Sequence, residues 1–217
     1  MNIGLWILSA VCFVLGGIPT AWIVRRMQPG GNDLRNEGSG NIGARNLWDV
    51  GSRKIDAVIV GIIDALKGTV AVIIVKVLFG SDFEAIMYAG IAVVFGHNYS
   101  VFLKGKGGRG LATAVGLFAF VNPLVVILWG ICYLTGYYVI RRDLHIACMT
   151  AIIGSTALVW STPNSTLMQT MLVPCTDVTD YRIMVAGVAF AHFLRHIEPV
   201  REALQRSDAD DEESKSS

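Results

Sequence analysis

Apolar residues run through this chain in long blocks, and the polar positions gather between them. Seven apolar segments can be read, at about 3–25, 54–79, 84–103, 110–120, 122–140, 145–161 and 181–196. A helix needs roughly 20 apolar residues to cross a bilayer, fewer where it is broken or re-entrant. The fourth segment is short and closes at Asn122-Pro123, where proline disfavours helix just before itself, so a half-helix is expected there. The pattern predicts an all-α, polytopic integral membrane protein of about seven transmembrane or half-spanning helices with glycine-rich cytoplasmic loops. The first run, Ile3 to Val24, has no basic leader and no small-residue cleavage site, and Arg25-Arg26 follows it directly. That favours a retained first span over a cleaved signal peptide.

Composition supports this picture. Of 217 residues 53% are hydrophobic and only 16% charged, where a soluble domain carries about 25% charged residues. The net charge of +1 decides nothing by itself, but its distribution does. Arg25, Arg26, Arg35, Arg45, Arg53 and Lys54 fall in the first polar loop. Lys104, Lys106 and Arg109 fall in the next, followed by Arg141-Arg142 and then Arg195, Arg201 and Arg206. Seven crossings put all of these on one face, and the loops near 80–84, at 121 and at 162–180 on the other hold almost none. The positive-inside rule then sets the N-terminus outside and the C-terminus and basic loops in the cytoplasm, and a multi-pass protein of the cell (plasma) membrane is expected. Residues 1–206 read as one membrane domain, and 207–217 as an acidic, disordered tail. The four cysteines show no metal or disulfide spacing, so no metal and no disulfide are assigned.

Chemistry concentrates in two loops. Between Lys104 and Gly110, four glycines (Gly105, Gly107, Gly108, Gly110) and three cations lie within seven residues, ahead of the helix opening at Leu111-Ala112-Thr113. Glycine lets backbone N–H groups turn inward, and the cations and a helix N-terminus favour an anion at the same point. The second loop, Asp33 to Asn46, offers hydroxyl, amide and backbone donors in Gly38-Ser39-Gly40-Asn41-Ile42-Gly43, with Arg45 and Asn46 beside them. His97 precedes the glycine loop inside an apolar segment, as a packing residue or as an acid/base group. Asp64 and Lys67, three apart in an apolar span, are expected to pair as a structural ion pair. A third region, with His192, Arg195, His196, Glu198 and Arg201, leaves the last span and can equally be an interfacial anchor.

These two loops, in this order, resemble the bacterial acyl-phosphate-dependent glycerol-3-phosphate acyltransferase family. Gly38 to Asn46 match its Gly-Ser-Gly-Asn-x-Gly-x-Thr-Asn motif except at Arg45. Gly96-His97, Phe102, Gly107-Gly108, Gly110 and Ala112-Thr113 match its second motif, with Arg109 in place of lysine. Asp33-Leu34-Arg35 and Asp64-Ala65-Leu66-Lys67-Gly68 are similar as well. Asp49 stands where the family has arginine. Of a third motif beginning at His196 the histidine remains, while Pro199 replaces asparagine and Glu202 reverses a charge. The resemblance implies transfer of a fatty acyl group from acyl phosphate to the 1-hydroxyl of glycerol 3-phosphate, giving lysophosphatidic acid, with no cofactor or metal. It implies membrane lipid as surroundings and no nucleic acid as partner, and it sets no oligomeric state. The site set expected on this basis is His97, Arg109 and His196 for catalysis. Arg35, Ser39, Gly40, Asn41, Gly43, Arg45, Asn46, Lys104, Gly107, Gly108, Gly110 and Thr113 are expected to bind substrate. An acyltransferase with another phosphorylated acceptor, or a silent membrane protein binding phosphorylated lipid, are the competing readings. A transporter is expected to show internal repeats, and none is present.

Overall fold

The computed structural model describes residues 3–51 and 53–205; the acidic tail at 207–217 lies outside them, and with it the expectation of disorder. Among the described residues every regular element is helical. Five helices are long and apolar enough to cross a membrane, and two shorter apolar helices accompany them. This makes the chain a multi-pass membrane protein and accounts for all seven segments.

The first segment differs from expectation. It breaks into α1 (Ile3–Gly17) and α2 (Thr20–Met27) at Ile18-Pro19, because proline has no N–H to continue the helical ladder. At the break the Ile18 carbonyl accepts the Thr20 N–H at 3.0 Å and the Lys67 ammonium at 2.6 Å. Lys67 sits on α4 (Lys54–Phe79) and also donates to Asp64 at 2.7 Å, both side chains being buried. The expected ion pair therefore forms, and it has a third partner.

α1 packs on α5 (Phe83–Asn98), and α4 packs on α6 (Leu111–Val121). Both contacts are backbone-close, as small residues allow in a bilayer. A Cβ at Gly116 would lie 1.8 Å from the Ala65 carbonyl oxygen, and one at Gly96 would lie 1.9 Å from that of Phe13. Neither clash can be relieved by a rotamer. Gly116→Val is accordingly expected to lower the melting temperature in detergent by on the order of 5–10 °C, as overpacking of a tight contact does. Gly130→Ala serves as the control, because nothing lies within 4 Å of its added Cβ.

α7 (Leu124–Thr135) ends in a π turn over Gly136–Ile140 and pairs with α8 (Leu144–Ser161). After the short α9 (Asn164–Thr170), α10 starts at Val178 and is described as far as Gln205, packing on α5 and α8. Connections meet at two ends of the helices. The Leu172 N–H donates to the Val121 carbonyl at 2.9 Å at one end. At the other, α10 grips the glycine loop.

Candidate functional site

Loop one first folds on itself. Asp33 accepts the Arg35 side chain (Nε to Oδ1 2.9 Å), the Arg35 N–H (3.1 Å) and Trp22 Nε1 (3.1 Å). The Arg35 guanidinium foremost holds the Asp33 carboxyl well below the usual carboxylate range. Arg25 binds both oxygens of Glu37, at 2.6 and 2.7 Å, tying the end of α2 to the loop. Asn46 is buried in α3 (Ala44–Asp49). It accepts the Ser39 N–H at 2.9 Å and donates to the carbonyls of Glu37 and Leu34 at 2.9 and 3.3 Å. Its amide thus staples the loop. Gly43 is extended just ahead of α3, and a Cβ there would lie 3.0 Å from Asn41 Nδ2. Arg45 and Asp49, both departures from the family pattern, pair with each other across one turn at 2.9 Å, on the surface.

The glycine loop is pressed against the end of α5. The Gly108 N–H donates to the His97 carbonyl at 2.9 Å. A Cβ at Gly108 would lie 2.2 Å from His97 Nε2, and one at Gly107 would lie 2.2 Å from the His97 carbonyl oxygen. Gly110, with φ +75°, then turns the chain into α6. From α10, Arg195 closes the loop: Nε donates to the Gly108 carbonyl at 3.0 Å and a terminal nitrogen to that of Gly107 at 2.7 Å. Its guanidinium also faces the Tyr99 ring, 5.8 Å from the centroid.

The two loops and α10 enclose a polar cavity lined by Arg35, Asn36, Gly40, Ile42, Lys106, Gly107 and Arg195. Three cations and no carboxylate among seven lining residues make it a site for an anion. The expected residues Arg35, Gly40 and Gly107 are there. Lys104 is exposed in a left-handed turn (φ 54°), and Lys106, two residues on, takes the cavity position. Arg109 points to α8, 3.3 Å from His145 Nδ1, where burial lowers its pKa. His97 is buried beneath the loop, with Nδ1 3.2 Å from Thr113 Oγ1 and 3.9 Å from Asp64 Oδ1. His196 is buried with Nδ1 2.8 Å from the His192 carbonyl oxygen, and it lines neither cavity. Asn36, Ile42, Lys106 and Arg195 are the cavity residues absent from the sequence-based set. For Arg195 the available signal was a cation one residue from His196, on a helix leaving the membrane.

A second cavity, of about 160 Å³, opens beside the loop between α6, α7, α8 and α10. Its walls are apolar, among them Leu111, Val115, Phe118, Trp129, Ile152 and Val188, and His192 lies at its end next to Gly110. A charged pocket lined by Gly107 and an apolar groove that starts at Leu111, close together along the chain, suit a ligand with an anionic head and a hydrocarbon tail.

The glycerol-3-phosphate acyltransferase family model matches residues 6–206. A glycerol-3-phosphate acyltransferase of Allorhizobium ampelinum is 37% identical over 151 residues, 69% of this chain and 71% of that one. That of Agrobacterium fabrum is 34% identical over 165 residues, 76% and 78% of the two chains. The crystal structure of PlsY (YgiH), an integral membrane glycerol 3-phosphate acyltransferase, in its glycerol 3-phosphate form is similar with a TM-score of 0.73. It is 30% identical in sequence, and the match covers 93% of this chain and 92% of that one. The lysophosphatidic acid form gives 0.72 and 28%.

Proposed function

The chain belongs to the glycerol-3-phosphate acyltransferase family, it transfers an acyl group to glycerol 3-phosphate, and we propose that acyl phosphate is the donor. The observation that carries this is a cavity holding three cations that reaches Gly107 and an apolar groove that starts at Leu111, at the two ends of one short stretch of chain. In this reading Arg35, Lys106, Arg195 and the glycine-loop backbone hold the phosphate groups of donor and acceptor. The acyl chain lies along the groove. The 1-hydroxyl oxygen of glycerol 3-phosphate attacks the acyl carbonyl carbon and forms the new ester C–O bond. The bond from that carbon to the bridging phosphate oxygen breaks, and phosphate leaves with the electron pair. The hydroxyl proton passes to a phosphate oxygen, since the polar cavity is lined by arginine, lysine, asparagine, isoleucine and glycine and holds no carboxylate or imidazole to take it.

Positioning two phosphorylated substrates side by side supplies much of the rate in this scheme, and cations facing the leaving phosphate supply the rest. His97 supports the loop from below, through its carbonyl and its ring. The basic loops face the cytoplasm of a plasma membrane and the N-terminus the outside, on the charge asymmetry of the connections. The test is a donor comparison with purified protein in lipid and glycerol 3-phosphate. Palmitoyl phosphate is expected to give lysophosphatidic acid, while palmitoyl-coenzyme A and palmitoyl-acyl carrier protein are not. Equal rates from a thioester donor would overturn the donor assignment.

A further inference from the structure

His192 is the one ionisable side chain lining the apolar groove; Ser155, Thr156 and Trp129, whose Nε1 also has no partner, are the other side chains in its wall with polar atoms. It is 5% exposed, and its Nε2 makes no hydrogen bond. The Gly110 carbonyl lies beside the ring without the alignment a hydrogen bond needs. A Cβ at Gly110 would sit 3.2 Å from that nitrogen, so the imidazole meets the backbone where the glycine loop becomes α6. The turn that carries it is fixed. Asn98 Nδ2 donates to the neighbouring Ala191 carbonyl at 2.8 Å, and His196 Nδ1 lies 2.8 Å from the His192 carbonyl oxygen. A histidine serving only the core has its ring nitrogens satisfied, because a buried polar atom without a partner is costly. His192 is held in place with a nitrogen idle and lines the groove, whereas His196, whose Nε2 is also without a partner, lines neither cavity.

We propose that His192 is a catalytic residue that donates a hydrogen bond from Nε2 to the carbonyl oxygen of the acyl donor. The assignment rests on the acyl-transfer reading of the site. With the tail in the groove and the phosphate at the glycine loop, the thioester-free acyl carbonyl falls between them, beside Gly110 and within reach of the ring. When the acceptor oxygen adds to the carbonyl carbon, its π electrons move to the carbonyl oxygen, and the Nε2–H meets the developing charge. The electrons return as the bond to the phosphate oxygen breaks. The acceptor's proton goes to phosphate, and His192 neither gains nor loses one.

The variants are His192→Phe, which keeps a ring and removes the donor, and His192→Gln, whose amide reaches to a similar position. Steady-state kinetics with palmitoyl phosphate are expected to show kcat lower by about 10²–10³-fold in His192→Phe, the loss typical of one oxyanion donor. KM is expected to stay within about threefold, and His192→Gln to recover at least tenfold of the loss. Isotope-edited infrared spectra of carbonyl-labelled palmitoyl phosphate, bound without acceptor, are expected to show a lower carbonyl stretch on the wild type than on His192→Phe. His192→Ala replaces the phenylalanine variant if that one does not fold. Wild-type kcat in the donorless variant, or an unshifted carbonyl band, overturns the assignment. So does equal impairment of the Gln and Phe variants, which marks a packing role. Absence of transfer by the wild type overturns the acyl-transfer reading itself, and this assignment with it.

Discussion

Replacing Arg195 with alanine is expected to lower kcat/KM for glycerol 3-phosphate by about 10²–10³-fold, while the protein stays folded. The guanidinium does two things that alanine cannot. Its fork holds the Gly107 and Gly108 carbonyls at 2.7 and 3.0 Å, which fixes the loop against α10. Its charge is one of three that line the polar cavity. Hydrogen bonds to charged groups contribute about 1.5–3 kcal/mol each, and two that share one side chain are not additive. A combined loss near 3–4 kcal/mol corresponds to the stated range at about 1.4 kcal/mol per factor of ten. Arg195→Lys separates the two contributions. It keeps the charge and loses the fork, so it is expected to fall between wild type and alanine and to spare KM more than kcat. A change of less than threefold in Arg195→Ala, measured by lysophosphatidate formation, would remove the residue from the site.

The largest expected stability effect is at Lys67. Its ammonium is 4% exposed, 2.7 Å from the Asp64 carboxylate and 2.6 Å from the Ile18 carbonyl. Lys67→Met leaves a carboxylate that is 2% exposed without its lysine partner, and it also removes one of the two donors to the Ile18 carbonyl. Breaking a buried pair from one side costs about 3–5 kcal/mol, because the remaining charge has lost its compensation. For a chain of this length that is a melting temperature lower by on the order of 10 °C. The double variant Asp64→Asn/Lys67→Met is expected to regain more than half of the loss, since it removes the stranded charge while the Thr20 N–H still donates to the Ile18 carbonyl. Thermal unfolding in detergent measures both. If the single variant is as stable as wild type, the pair contributes nothing to the fold. If the double variant is no better than the single one, the stranded charge is not the cause.

The membrane architecture was legible because bilayer spanning imposes a length and an apolarity that composition displays directly. All seven apolar segments correspond to helices. The break at Pro19 was not taken from the first segment, because the cost of an interrupted ladder depends on what else meets its carbonyls, and one such donor to Ile18 comes from Lys67, 49 residues away. The two glycine loops were also legible, since a turn with positive φ at Gly110 and a backbone pressed onto His97 need glycine. Which cation faces the cavity was not. Lys104 and Lys106 lie in irregular chain, where no period assigns a direction. Arg195 reaches the loop only because α10 packs on α5, a contact between residues far apart in sequence. Asn46 shows another limit. Its place in a motif suggested substrate, whereas the structure spends its amide on Ser39, Leu34 and Glu37. Arg45 and Asp49 read separately as two departures from a family pattern and in space form one exposed ion pair.

The most direct test follows inorganic phosphate and lysophosphatidic acid together in one time course, with purified protein in lipid, palmitoyl phosphate as donor and glycerol 3-phosphate as acceptor. One phosphate released for each lysophosphatidate formed, with both dependent on glycerol 3-phosphate, is the result expected of an acyl-phosphate-dependent transferase. Phosphate released without lysophosphatidate, or no release where a conventional relative is active, would contradict the account.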